Sequence, residues 1–102
     1  MIAEIRLPRL LEPVVGDRLR ITVEASTIGG AVDELLREVP ALRGHLFDES
    51  GRLRPHVLCF VDGASTRLDD RTHRLAEGTT IEFLQAVSGG AVLDSVSAPR
   101  ET

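Results

Sequence analysis

The stretch Thr79-Thr80-Ile81-Glu82-Phe83-Leu84-Gln85-Ala86-Val87-Ser88-Gly89-Gly90 decides how this chain is read. Its first half is rich in β-branched and aromatic residues, the composition of a strand, with Ile81, Phe83 and Leu84 expected to carry the packing. Its last two residues have no side chain. A Gly-Gly pair can turn, link, or thread a channel too narrow for any other residue. Glu77-Gly78 offers the turn that starts the strand. Twelve residues, Ala91 to Thr102, come after it. There the mildly apolar Ala91-Val92-Leu93 and Val96 stand among Ser95, Ser97, Ala98 and Pro99 with no sustained period, the pattern of an exposed, flexible extension. The expected division is a folded domain over residues 1–90 and a C-terminal extension over residues 91–102.

Upstream of the final strand, Val57-Leu58-Cys59-Phe60-Val61 is a continuous apolar run, which predicts a strand buried on both faces. Asp62-Gly63 turns it, Ser65-Thr66-Arg67 reads as a short edge strand, and Asp69–Arg74 as a polar loop. Further back lies the strongest periodic signal. Ile28, Ala31, Val32, Leu35, Leu36 and Val39 recur at helical spacing, with Asp33, Glu34, Arg37 and Glu38 on the opposite side. Ser26 or Thr27 can cap this helix and Pro40 stops it. Gly29-Gly30 at its start reads as room for the helix to approach the sheet. Between helix and central strand, Leu42, Leu46 and Phe47 return to the core, and Asp48-Glu49-Ser50-Gly51 forms a turn.

At the N-terminus Ala3, Ile5 and Leu7 alternate with Glu4 and Arg6 until Pro8. After a turn at Gly16-Asp17, Leu19, Ile21, Val23 and Ala25 alternate with Arg20, Thr22 and Glu24. Two such runs with a short connection predict an antiparallel hairpin. The order is strand, strand, helix, strand, short strand, strand. One helix must then cover one face of a small sheet, because neither buries its apolar side alone. The expected class is an α+β roll.

Composition narrows the function. The 102 residues suffice for one domain with a core, and 42% apolar with 27% charged residues is ordinary for a soluble globular chain. No run reaches the roughly 20 apolar residues of a membrane span, and Glu4 and Arg6 interrupt any secretory pattern, so a cytoplasmic protein without membrane contact is expected. A net charge of −4 with no Trp and no Tyr argues against nucleic acid. The one cysteine, Cys59, excludes an internal disulfide and a multi-cysteine metal site. All twelve basic residues are arginine, a bias that codon usage in a GC-rich genome explains. One consequence holds whatever its origin: no side chain of an identical copy can form an isopeptide bond with this chain's C-terminus.

Side-chain chemistry is sparse. Cys59 sits mid-strand between Leu58 and Phe60 and reads as a small hydrophobe. His45, His56 and His73 lack the spacing of two ligands on one helix face. Asp48-Glu49 and Asp69-Asp70 fall in polar turns where solvated acids are usual. No phosphate-loop lysine follows Gly29-Gly30. The chain therefore reads as no enzyme, and any chemistry lies at the backbone. A carboxylate on Gly90 could be adenylated, since AMP is a good leaving group, and the acyl group could then take up sulfur. Such a terminus must be extended and free of side chains to enter another protein's active site.

Three passages carry a resemblance. They are Thr27-Ile28-Gly29-Gly30-Ala31-Val32-Asp33-Glu34-Leu35-Leu36 leading to Pro40-Ala41-Leu42-Arg43; Leu46-Phe47-Asp48 through Val61-Asp62-Gly63; and Leu75-Ala76-Glu77-Gly78 through Ala86-Val87-Ser88-Gly89-Gly90. In this order they resemble the MoaD/ThiS family of ubiquitin-like, β-grasp sulfur carriers over roughly residues 2–90, leaning toward the longer MoaD-like and CysO-like members. The resemblance implies a mixed sheet of four to five strands with one main helix. It implies a carrier with no bound cofactor. Gly90, after Gly89, would be adenylated by a ubiquitin-activating-type adenylyltransferase that uses ATP. Sulfur would come from a donor such as a rhodanese or cysteine desulfurase, giving a thiocarboxylate. An acceptor enzyme of molybdopterin, cysteine, thiazole or specialised-metabolite synthesis would then receive it. Leu84, Val87 and Ser88 would meet the partner; plain core packing is the other reading of Leu84.

The chain departs from the pattern in one serious respect. An amide bond to Ala91 leaves Gly90 without a carboxylate. A peptidase must cut between Gly90 and Ala91, or the carrier role is lost. Gln85 also stands where many relatives carry Pro. Two rival readings stay open: a non-catalytic β-grasp binding module with a permanent docking tail, and a ubiquitin-like modifier joined through Gly90 to lysines of other proteins.

Overall fold

A computed structural model describes residues 1–85. Its elements are β1 (Ile2–Arg6), a 3-10 turn (Arg9–Leu11), α1 (Glu12–Val15), β2 (Arg20–Glu24), α2 (Ile28–Glu38), α3 (Leu42–Leu46), β3 (Val57–Val61), β4 (Ala64–Thr66) and β5 (Thr79–Gln85). The five strands form one mixed sheet in the order β2-β1-β5-β3-β4. β5 lies at its centre, parallel to β1 (Ile5 beside Ile81) and antiparallel to β3 (Cys59 beside Phe83). With α2 over one face, this is the β-grasp roll that the sequence predicted.

Period-2 alternation decides which side chains enter the core. Ala3 and Ile5, Ile21 and Val23, Val57 and Cys59, and Ile81 and Phe83 are all buried against the helical layer. The α2 stripe is buried through Ile28, Ala31, Val32, Leu35 and Leu36, and Val39 packs against its end. Burial of each large apolar side chain contributes about 1.5–3 kcal/mol. Phe83, Ile5 and Leu35 are among the largest that are fully enclosed.

The start of α2 is tied down by the loop before β5. A helix begins with backbone N–H groups that have no partner inside the helix. Here Ile28 donates to His73 O at 2.9 Å, Gly29 to Arg71 O at 2.9 Å, and Gly30 to the Thr27 side-chain oxygen at 3.1 Å. Arg71 returns two bonds, to Gly29 O at 3.1 Å and to Asp33 Oδ1 at 2.7 Å. Gly29 thus makes room for this loop, whereas the sequence had suggested room for the sheet. A Cβ there would stand 2.9 Å from Arg71 O.

Other expectations are corrected in detail. The β1–β2 pair is antiparallel as predicted, but its connection is not short: it holds the 3-10 turn and α1, which bury Leu11 and Val15. Leu42, Leu46 and Phe47 do return to the core, the first two on a helix not foreseen, α3, and Phe47 in the extended residue that ends it. β4 begins at Ala64, one residue earlier than expected, directly after a two-residue turn. In that turn Asp62 and Gly63 both take positive φ, 50° and 87°, the conformation that matches strand twist in a tight hairpin. β3 is not buried on both faces, for Leu58 and Phe60 are only half-buried on the side away from α2. No helix among the described residues is long and apolar enough to cross a membrane.

Candidate functional site

β5 delivers the chain to its di-glycine. The strand is paired on both sides, so its path is held by two ladders of backbone hydrogen bonds. Its side chains alternate: Thr79, Ile81 and Phe83 enter the core, while Thr80, Glu82 and Leu84 point outward. Leu84 therefore does not carry the packing with Ile81 and Phe83, as the sequence reading had it. It is half-buried on the open face, in register with Leu58 of β3.

Leu58, Phe60 and Leu84 make an apolar cluster on that open face beside the exit of β5. Leu58 and Phe60 were missed because the unbroken run Val57–Val61 hides its own alternation. Counting by two from Cys59, which pairs with core-facing Phe83, would have found them. Glu82 lies opposite Phe60 on one side and Arg6 on the other. Beyond it the face becomes charged. Glu4 reaches Arg6 of its own strand at 3.5 Å and Arg20 across the β1–β2 pair at 3.6 Å. An apolar patch rimmed by charges, next to the departing chain, is a surface that can seat a partner. Val87, Ser88, Gly89, Gly90 and Ala91 lie outside the described residues.

The side chains that could have carried chemistry do other work. Cys59 is 2% exposed, and burial pushes its thiol up to about 12, with the nearby Arg67 charge opposing that only in part. It cannot supply a thiolate nucleophile at neutral pH. Asp48 accepts from the Ser50 hydroxyl at 2.7 Å and from the amides of Ser50 and Arg52 at 2.9 and 3.0 Å, which holds its carboxyl below the usual range. Asp70 does the same with the hydroxyl and amide of Thr72, at 2.6 and 3.1 Å. Both are turn-formers. Among the described residues no three His, Cys, Asp or Glu side chains gather to hold a metal ion.

A cleft of about 310 Å³ opens between Asp48, Arg52, Leu53, Pro55, Arg67 and Asp69. Its Arg67 is spent on the carbonyls of Leu53 at 2.8 Å and Val57 at 3.2 Å, so it braces the approach to β3.

Comparison with known proteins gives a consistent answer. The family model described as the ThiS family matches residues 5–90. Small archaeal modifier protein 1 of Haloferax volcanii is 33% identical over 82 residues, covering 78% of this chain and 91% of its own. A crystal structure of that archaeal protein superposes with a TM-score of 0.73 at 27% identity, covering 88% of this chain and all of the other. The crystal structure of CysO from Mycobacterium tuberculosis gives a TM-score of 0.71 at 23% identity, over 83% of this chain and 99% of that one, a likeness of fold.

Proposed function

The chain belongs to the ThiS family of ubiquitin-like small modifiers and sulfur carriers, and on that premise we propose that it is the proprotein of a sulfur carrier. Cleavage between Gly90 and Ala91 frees the Gly90 carboxylate. A ubiquitin-activating-type adenylyltransferase, with ATP, converts it to an acyl adenylate, and a sulfur donor such as a rhodanese or cysteine desulfurase turns that into a thiocarboxylate. The sulfur then passes to an acceptor enzyme of cofactor, cysteine or specialised-metabolite synthesis.

One observation carries this reading. The family match ends at residue 90, on the di-glycine, five residues beyond a central strand anchored on both sides. The Leu58, Phe60 and Leu84 cluster beside that exit supports it, as the place where an activating partner would bind. Adenylation needs only a slim terminus and a docking surface, because the partner supplies the catalytic groups.

The test is intact mass of the full chain after exposure to lysate of its source cell. The expected product ends at Gly90 and then gains one sulfur-for-oxygen exchange with the activating enzyme and ATP. A chain that keeps residues 91–102, and loses a stable complex when they are deleted, would make it a binding module instead.

A second reading has its own support, since the 33% identical relative is named a small modifier protein. In that case Gly90 is joined to lysines of other proteins, and blots against this chain show a ladder of conjugates.

A further inference from the structure

Resting on Gly90 as the activated terminus, we infer that no side chain of this protein keeps its own acyl group, within one molecule or from a second copy. The acyl group passes to another molecule. Each acceptor amine of an amide-linked target then carries a single copy, save for head-to-tail joining at Met1.

An acyl adenylate reacts with any good nucleophile within reach. An amine attacks the Gly90 carbonyl carbon, the new N–C bond forms, the C–O bond to AMP breaks, AMP leaves with the electron pair, and the amine proton goes to solvent. This chain withholds the amines and thiols that would keep the acyl group; its exposed His45, His56 and His73 would give only an acyl-imidazole, which water cleaves to the free acid. All twelve basic side chains are guanidinium groups, which stay protonated and do not attack carbonyls. The lone thiol, Cys59, is sealed on the core side of β3 between Thr66 and Phe83. Burial also keeps it protonated.

One amine remains, at Met1, and topology takes it away from the reactive end. Ile2 O accepts from Gly78 N at 2.9 Å, so Met1 lies beside the start of β5. The seven residues of β5 then run parallel to β1 and away from it, about 23 Å at a strand's rise per residue. The five residues from Ala86 to Gly90 reach at most about 18 Å when fully extended. Cyclisation onto Met1 therefore falls short.

The experiment uses residues 1–90 with an alkyl thioester installed chemically on Gly90. Among the described residues every core side chain lies between Ala3 and Phe83, and the family match ends at residue 90, where this truncation falls; amide NMR of residues 1–90 checks the fold before the reaction is read. No activating enzyme takes part, so the outcome does not depend on whether a cell activates Gly90. With Met1 acetylated, intact mass should show only thioester and hydrolysed acid, while added hydroxylamine consumes the thioester fully. The acetylated Arg43→Lys variant, altered on the exposed side of α3, should build dimers and trimers. Cross-linked species from the acetylated wild type, or a cyclic product from the unacetylated one, would overturn the inference. So would an Arg43→Lys variant as silent as the wild type, because lysine would then not be what is missing.

Discussion

The amide of Gly29 donates to the carbonyl of Arg71 at 2.9 Å, and a Cβ added to Gly29 would stand 2.9 Å from that same oxygen. The loop before β5 can cap α2 only because residue 29 has no side chain. Gly29→Ala should force the loop off the helix and cost about 1–3 kcal/mol, as overpacking does. At Gly30 a Cβ would meet Ala25 Cβ and Thr27 Oγ1 at 3.3 Å, a contact that small shifts relieve. Gly30→Ala should stay within about 1 kcal/mol of wild type, helped by the better helix propensity of alanine. Chemical denaturation of the two variants makes the comparison.

Thr27 caps the same helix end through its side-chain oxygen. Thr27→Ala should lose about 1 kcal/mol and Thr27→Ser nearly nothing, by the same measurement.

Neighbours Phe83 and Leu84 should behave oppositely. Phe83 has no exposed surface, and Phe83→Ala should cost about 3–5 kcal/mol, enough to leave much of the chain unfolded. Leu84 lies on the open face, so Leu84→Thr, which keeps a strand-compatible residue, should move stability by less than about 1 kcal/mol. If the cluster seats the activating enzyme, Leu84→Thr and Leu58→Thr should raise KM for the carrier in pyrophosphate release with little change in kcat. An unchanged KM in both would remove the cluster from the docking surface.

Asp48 titrates below the usual carboxylate range because the folded chain gives hydrogen bonds to its ionised form, first from the Ser50 hydroxyl and then from the Arg52 amide. A depressed folded pKa stabilises the fold above the ordinary aspartate range, and that contribution fades as pH falls through the folded value. Asp70, bonded by Thr72, should follow the same course. Carboxyl carbon NMR should find both midpoints below an ordinary aspartate, and Ser50→Ala should move Asp48 back up while leaving Asp70 in place.

Cys59 has the opposite sign. Its thiol is raised from an ordinary 9.0 to about 12 by burial. The unfolded chain therefore ionises first, and stability present below pH 9 should drain away as pH rises toward 12. A thiol reagent at pH 8 should leave the native chain unmodified and react once denaturant is added.

Much of this was legible in the residues. The α2 stripe, the Thr27 cap, the stop at Pro40 and the Asp62-Gly63 turn each follow from a local rule, and each stands in the structure. What was hidden is what no local rule reaches. α1 and α3 are four and five residues long, too short for helical periodicity to show. The bonds from Arg71 and His73 to the start of α2 join positions more than forty apart. At Val57–Val61 the outward Leu58 and Phe60 are as apolar as their inward neighbours, so composition masked the two faces. The candidate site was half readable: the di-glycine announces itself, but the cluster beside it needs the β3–β5 register.

The parallel pairing of β1 with β5 has a mechanical consequence. Met1 leaves one end of the sheet and Gln85 the other, from adjacent central strands. A pull between the termini loads the hydrogen bonds of that pair together, in shear, instead of peeling them one at a time. A machine hauling on the C-terminal segment would thus meet the stiffest direction of the molecule. In force spectroscopy, unfolding from Met1 and residue 85 should require markedly more force than a pull that peels the edge strand β4 from β3.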